Sequence, residues 1–205
     1  MGFKTGYLLT GFVLAGALAG AVSLGRLAKP KLPIVASDFP RSQGPVEAPV
    51  QLIEYSVFQC PACRTAQSDV KALLKDFEGR VRFTYQHFPL EGHPFARSAH
   101  QAAECAAEQN RFWNYHDLLY ERQPDWSRGV PPPPESFMRY AQELGLDLDR
   151  FAKCLTDPQV AARIREERIA GEGLGVRSTP SFFLNGELVV GPKELRKKME
   201  EVLGE

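Results

Sequence analysis

The first 32 residues contain no acidic side chain, and the 205-residue chain carries no net charge, with 25 basic and 25 acidic residues. Without a basic surplus there is no electrostatic footprint for nucleic acid, which needs a positive face opposite its phosphates. Cysteine and histidine are scarce, at four each. Only Cys60 and Cys63 stand close together. Cys105 and Cys154 are isolated, and His87, His93, His100 and His116 form no tight pair beside a second ligand pair. The four-ligand spacings of structural zinc are therefore missing, and no metal is expected. No internal repeat is evident.

The charge is unevenly placed. Lys4, Arg26, Lys29 and Lys31 give the first 32 residues +4, leaving −4 on the remainder. Residues 6–25 form an uncharged, largely apolar run of twenty. At about 1.5 Å per residue it spans roughly 30 Å, the thickness of a hydrocarbon core. A cleavable signal usually has a shorter apolar run, although Ala15-Gly16-Ala17 and Ala19-Gly20-Ala21 both fit a small-x-small cleavage site. Residues 1–25 are thus expected to be a signal anchor or a signal peptide, the length favouring the anchor. Gly16 and Gly20 form a GxxxG, read here as the Gly/Ala richness of such a segment rather than a helix-pairing motif. Counting positive flanks would put the body in the cytoplasm. The cysteine chemistry favours an oxidising compartment instead, and the expectation follows the chemistry.

Residues 26–49 hold Pro30, Pro33, Pro40, Pro45 and Pro49 and read as a linker, with a folded domain over 50–203. Residues 50–58 read as a buried strand and 61–77 as a helix ended by Gly79. Residues 81–88 alternate as a second strand. A helical block occupies about 93–173, interrupted by Pro131 to Pro134 and including a helix capped by Asp157-Pro158 and carrying Val160, Ile164 and Ile169. Asn185-Gly186 between two apolar runs predicts a hairpin with a type I′ turn. A last helix follows Gly191-Pro192, supported by a Glu194–Lys198 pair. The order strand, helix, strand, helical block, hairpin, helix predicts an α/β fold.

Cys60-Pro61-Ala62-Cys63 lies where the first strand gives way to the helix. Unpaired N–H groups and the positive dipole end stabilise a thiolate there. Such placement lowers a thiol pKa from about 8.5 to between about 3.5 and 7.5. Cys60 is expected to attack, and Cys63, one turn in, to resolve the mixed disulfide.

Phe58-Gln59-Cys60-Pro61-Ala62-Cys63, the helical block and Val176-Arg177-Ser178-Thr179-Pro180 together resemble the DsbA-like branch of the thioredoxin superfamily, over about residues 46–203. The resemblance implies a thioredoxin fold with an inserted helical subdomain. It further implies a cis Pro180 beside the active-site cysteines, Thr179 as the residue whose backbone meets a bound peptide, and Glu54 as a buried acid that exchanges protons with Cys63. The best-known oxidising member has histidine between its cysteines. Pro61-Ala62 offers no such side chain, which predicts a weaker oxidant. Some relatives are similar in carrying a second, structural disulfide, here Cys105–Cys154; free buried cysteines are the alternative.

These readings predict a thiol–disulfide oxidoreductase that needs no bound cofactor and introduces disulfides into reduced, unfolded proteins outside the bacterial cytoplasm. A membrane redox partner would reset the CxxC. The alternatives are a reductase or isomerase, or a redox-silent chaperone-like binding module.

Overall fold

The computed structural model describes residues 1–2, 40–128 and 134–204. The expected anchor and its GxxxG lie outside the described residues. Among the described residues no helix is long and apolar enough to cross a membrane.

Five strands form one sheet: β1 (Ser42–Gln43), β2 (Val50–Ser56), β3 (Val81–His87), β4 (Ser181–Leu184) and β5 (Glu187–Val190), in the order β1-β3-β2-β4-β5. β2 and β3 run parallel, with Val50 opposite Val81 and Ser56 opposite His87. Helix α1 (Pro61–Asp76) provides the crossover between them. β4 pairs antiparallel with β2, and β5 with β4. Asn185 and Gly186 both take positive φ, as the type I′ turn requires.

Side-chain alternation divides the central strand between two layers. On one face, Val50 and Leu52 pack with Phe83, Phe182 and Leu184 against Val70, Leu73 and Phe77 of the α1 region. Leu195 and Met199 of α8 (Pro192–Leu203) close the same layer. On the other face lie Ile53, Tyr55 and Phe183, with Phe88 and Val176. Glu54 and Ser56 share the parity of Leu52 and so face α1.

Between β3 and β4 the chain makes α2 (Ala96–Ala107), α3 (Phe112–Glu121), α4 (Gln123–Trp126), α5 (Pro134–Glu143), α6 (Leu148–Leu155) and α7 (Pro158–Gly173). Their shared core includes Ala99, Ala103, Tyr115, Leu119, Tyr140 and Phe151. Cys105 of α2 and Cys154 of α6 are joined in a disulfide across 49 residues. A loop of that length corresponds to about 4 kcal/mol in the chain-entropy account. Asp157 caps α7 by accepting from the Gln159 N–H, with Pro158 in the first turn.

Three expectations need correction. The stretch assigned to a linker is already folded at Arg41, which is 2% exposed, and at β1, which pairs with β3. Proline content hid this, because a two-residue strand has no periodicity and its partner is about 40 positions away. Ile169 is 62% exposed; α7 meets the sheet through Gly171 instead. A Cβ at Gly171 would sit 2.8 Å from the Tyr55 ring and 2.9 Å from the Phe88 ring, so only glycine permits this approach. Lys198 pairs with Glu187 of β5 at 3.0 Å and Glu201 at 3.9 Å; Glu194 adds only a weaker, longer-range attraction.

Candidate active site

After β2 the chain turns tightly, the Cys60 N–H donating to the Val57 carbonyl at 3.0 Å, and enters α1 with Cys60 as N-cap and Pro61 in the first turn. No side chain caps this end, and the first turn contains no acid. The N–H groups and the positive end of the dipole therefore act on the cysteine sulfur. Cys60 and Cys63 are unbonded thiols, 8% and 0% exposed.

Their acidities diverge. The Cys60 thiol is pulled down to about 4, first because Cys63 donates its S–H to the Cys60 sulfur. Backbone N–H groups of Cys63 and Ala62 and the Thr179 side chain add to this, against the cost of burial. The Cys63 thiol is pushed up, chiefly by burial and then by holding the proton it shares with Cys60. The pair thus presents a thiolate at the less deeply buried Cys60 and a thiol at the fully buried Cys63, the division of labour that attack and resolution require.

Thr179 and Pro180 come from the loop before β4 and are joined by a cis peptide bond. The Thr179 carbonyl lies 3.9 Å from Cys60 Sγ, in reach of the thiol proton. Pro180 is buried. Glu54, in the middle of β2 with partner strands on both sides, is 0% exposed. Its Oε1 accepts from Gln67 Nε2 of α1 at 3.3 Å, and its Oε2 is buried with no partner in hydrogen-bond geometry. Burial raises this carboxyl to about 7, opposed in part by the Ser56 and Gln67 side chains. Cys60, Cys63, Thr179 and Pro180 therefore lie around the start of α1, with Glu54 further back along β2 on the face toward that helix.

The sequence reading missed the side chains that hold this arrangement from the helical block. Gln123 of α4 donates to the Phe58 carbonyl at 2.7 Å and the Cys60 carbonyl at 2.9 Å. Gln59 accepts from the Phe95 N–H at 2.7 Å and donates to the Ser127 carbonyl at 3.3 Å. Tyr120 of α3 shares a 2.9 Å hydrogen bond with Ser56, and Arg64 Nε donates to the Tyr120 carbonyl at 3.1 Å. A signal existed for two further residues outside that block: Gln67 is one turn past Cys63 on α1, and Ser56 two past Glu54 on the same face of β2. A four-residue α4 offers no periodicity that would have exposed Gln123.

Phe58 is ringed by buried histidines, His100 at 4.9 Å and His116 at 5.6 Å between ring centroids. His87 Nδ1 and His100 Nδ1 are 2.6 Å apart, so one ring donates and the other accepts. Burial pushes all three imidazoles down and keeps them neutral. Among the described residues no group of three or more His, Cys, Asp or Glu is placed to hold a metal ion.

A family model described as Thioredoxin matches residues 37–203. The chain is 44% identical over 151 residues to the Na(+)/H(+) antiporter NhaA 3 of Salinispora tropica, covering 73% of this chain and 22% of that protein. It is 32% identical over 164 residues to the Na(+)/H(+) antiporter NhaA of Herminiimonas arsenicoxydans, covering 80% and 25%. The chain thus spans 25% or less of these two relatives' length. Among solved structures, a thioredoxin-like oxidoreductase from Silicibacter pomeroyi DSS-3 is 27% identical over 80% of this chain and 89% of that one, with TM-score 0.65. Oxidised BdbD from Bacillus subtilis superposes with TM-score 0.72 at 22% identity, over 83% and 96%, a likeness of fold that includes the helical insertion. With its family match over residues 37–203 and its CxxC at the start of α1, the chain belongs to the thioredoxin family.

Proposed function

We propose that the chain introduces disulfides into reduced, unfolded proteins by exchange at Cys60 and Cys63. The observation that carries this reading is the placement of Cys60 at the N-terminus of α1, where no side chain caps the helix, with Cys63 sealed one turn in. That arrangement lowers the pKa of the Cys60 thiol and raises that of Cys63. A stabilised Cys60 thiolate favours the dithiol form, and a CxxC whose dithiol form is favoured is an oxidant. A substrate thiolate attacks Sγ of Cys60 in the oxidised pair, the Cys60–Cys63 bond breaks, and Cys63 leaves as thiolate and takes up a proton. A second substrate thiolate then attacks the substrate sulfur, releases Cys60 as thiolate and leaves the substrate oxidised. Thr179 and Pro180 shape the groove beside Cys60 for the substrate backbone. Glu54, with a carboxyl near 7, serves as the local proton store for Cys63.

The setting we infer is the bacterial cell envelope, the domain being extracytoplasmic and held at, or exported across, the membrane by residues 1–25. The apolar run supports this, as do relatives named as antiporters. A membrane redox partner would return the CxxC to the disulfide. The transport named for those relatives is not assigned to this chain.

The test is a stoichiometric transfer. The oxidised full chain, mixed with a reduced unfolded protein containing two cysteines, should oxidise it one for one while Cys60 and Cys63 become alkylatable. Cys60→Ser should abolish the transfer. Tight substrate binding that survives Cys60→Ser, with no electron transfer from the unaltered protein, would favour the binding module instead.

A further inference from the structure

Cys60 is the N-cap of α1, with an extended backbone at φ −74° and ψ 123°. A cap residue in that conformation sets its side chain over the free N–H groups of the second and third helical residues, here Ala62 and Cys63. With the Cys63 thiol, these N–H groups hold the Cys60 thiol down at about 4. The cap conformation is thus what brings the sulfur and its backbone donors together. Local bonds restrain it in part: the Cys60 N–H meets the Val57 carbonyl at 3.0 Å, and the Cys60 carbonyl accepts from the Arg64 N–H at 3.1 Å.

The remaining hold comes from the helical insertion. Gln123 is 4% exposed, and its side-chain amide donates to two carbonyls, that of Phe58 at 2.7 Å and that of Cys60 at 2.9 Å. A carbonyl has two lone pairs, so the Cys60 oxygen can accept from Gln123 and Arg64 together. One planar NH2 group thereby fixes the spacing of two carbonyls across the turn that leads into α1. Gln123 is itself anchored. Trp126, three residues on in α4, donates its indole N–H to the Leu119 carbonyl at 2.8 Å and packs edge-on against Phe137. Gln59, between the two carbonyls, is tied separately to the Phe95 N–H and the Ser127 carbonyl.

We propose that Gln123 is a positioning residue for the exchange, holding Cys60 in the cap conformation on which its oxidising strength depends. The inference rests on the thiol–disulfide reading above. Both bonds of the amide go to backbone, so Gln123 acts on the sulfur only through the turn it holds. When exchange leaves Cys60 as thiolate, the held turn keeps its sulfur over the N–H groups of α1. Without the amide, the Phe58 carbonyl loses this buried donor and the cap residue can turn its sulfur away. The redox poise of a pair on the thioredoxin sheet is then set in part by a side chain of the inserted block. A merely structural Gln123 would instead steady α4 and the turn, and its loss would lower stability while leaving the poise alone.

The experiment compares the unaltered full chain with Gln123→Met, which keeps the length and loses both donors, and Gln123→Asn, which keeps the amide on a shorter stem. Three quantities are read: the pH midpoint of the Cys60 thiolate absorbance, the equilibrium with glutathione, and the melting temperature. Gln123→Met should lower the equilibrium constant for reduction of the pair by glutathione about tenfold, within the range that a helix cap carries. That fold-change makes the potential about 30 mV more negative. The thiolate midpoint should rise by about one pH unit, the same tenfold seen from the sulfur. Gln123→Asn should move both readouts in the same direction by less. A folded Gln123→Met protein with an unaltered thiolate midpoint and glutathione equilibrium would overturn the proposal, whatever its melting temperature. If Gln123→Met does not fold, Gln123→Asn decides by the same two readouts. An unaltered chain that reaches no redox equilibrium with glutathione would instead sink the thiol–disulfide reading.

Discussion

Cys60 and Cys63 are one helical turn apart, yet burial and hydrogen bonding divide a shared proton between them very unequally. The alanine between them was expected to weaken the oxidant because it has no side chain to meet the thiolate. The support for Cys60 comes instead from the Cys63 thiol and from backbone N–H groups, that of Ala62 included. The missing histidine is therefore offset in part by groups that any residue at position 62 supplies. Glu54 makes the sharpest prediction at this scale. Its carboxyl is raised from about 4.5 to about 7 by burial, so the folded state holds the proton more tightly than the unfolded chain. The associated stability is complete below about pH 4.5 and is lost as pH rises through 7. Glu54→Gln removes the penalty for ionising there. It should raise stability relative to the unaltered protein by about 3 kcal/mol at pH 8, with the difference fading below pH 4.5. Urea unfolding at several pH values checks this, and a pH-independent difference would contradict it.

At the scale of elements, what the sequence disclosed was local chemistry. Asn185-Gly186 specifies its own turn, Asp157-Pro158 its own helix start, and the CxxC its place between β2 and α1. What stayed hidden was decided by distant partners. β1 pairs with the edge of β3, and α4 is held by Gln123 at the Phe58 and Cys60 carbonyls and by Trp126 at the Leu119 carbonyl. Ile169, named with Val160 and Ile164 as an apolar residue of α7, is exposed. The helix instead turns a glycine to the sheet, which no apolar periodicity can reveal. Gly171→Ala should force the Tyr55 and Phe88 rings from their places, costing about 1–3 kcal/mol as small-to-large core substitutions do. In a domain of this size each kcal/mol lowers the melting temperature by about 2–4 °C. An unchanged melting temperature would mean that α7 approaches the sheet less closely than described.

For the molecule as a whole, Arg41 joins three parts of the chain. Its guanidinium pairs with Glu104 of α2 at 3.1 Å and with both carboxylate oxygens of Glu167 of α7, while its carbonyl accepts from Tyr85 of β3 at 3.0 Å. Glu167 also accepts from the His87 N–H at 2.8 Å. The segment read as linker thus ties the helical insertion to the thioredoxin sheet. Arg41→Ala would take the cation from the largely buried Glu167 carboxylate, while Glu104 keeps Arg163 at 3.7 Å, and should cost about 3–5 kcal/mol in chemical unfolding. A loss below about 1 kcal/mol would place the pair in the class of surface ion pairs.

The claim on which the account turns is the direction of exchange. The equilibrium potential of Cys60–Cys63 in the full chain, measured against glutathione, tests it most directly. The split acidities predict a value between about −120 and −180 mV, in the range of oxidants and isomerases. A value near −270 mV would match a reductase and contradict the proposed direction.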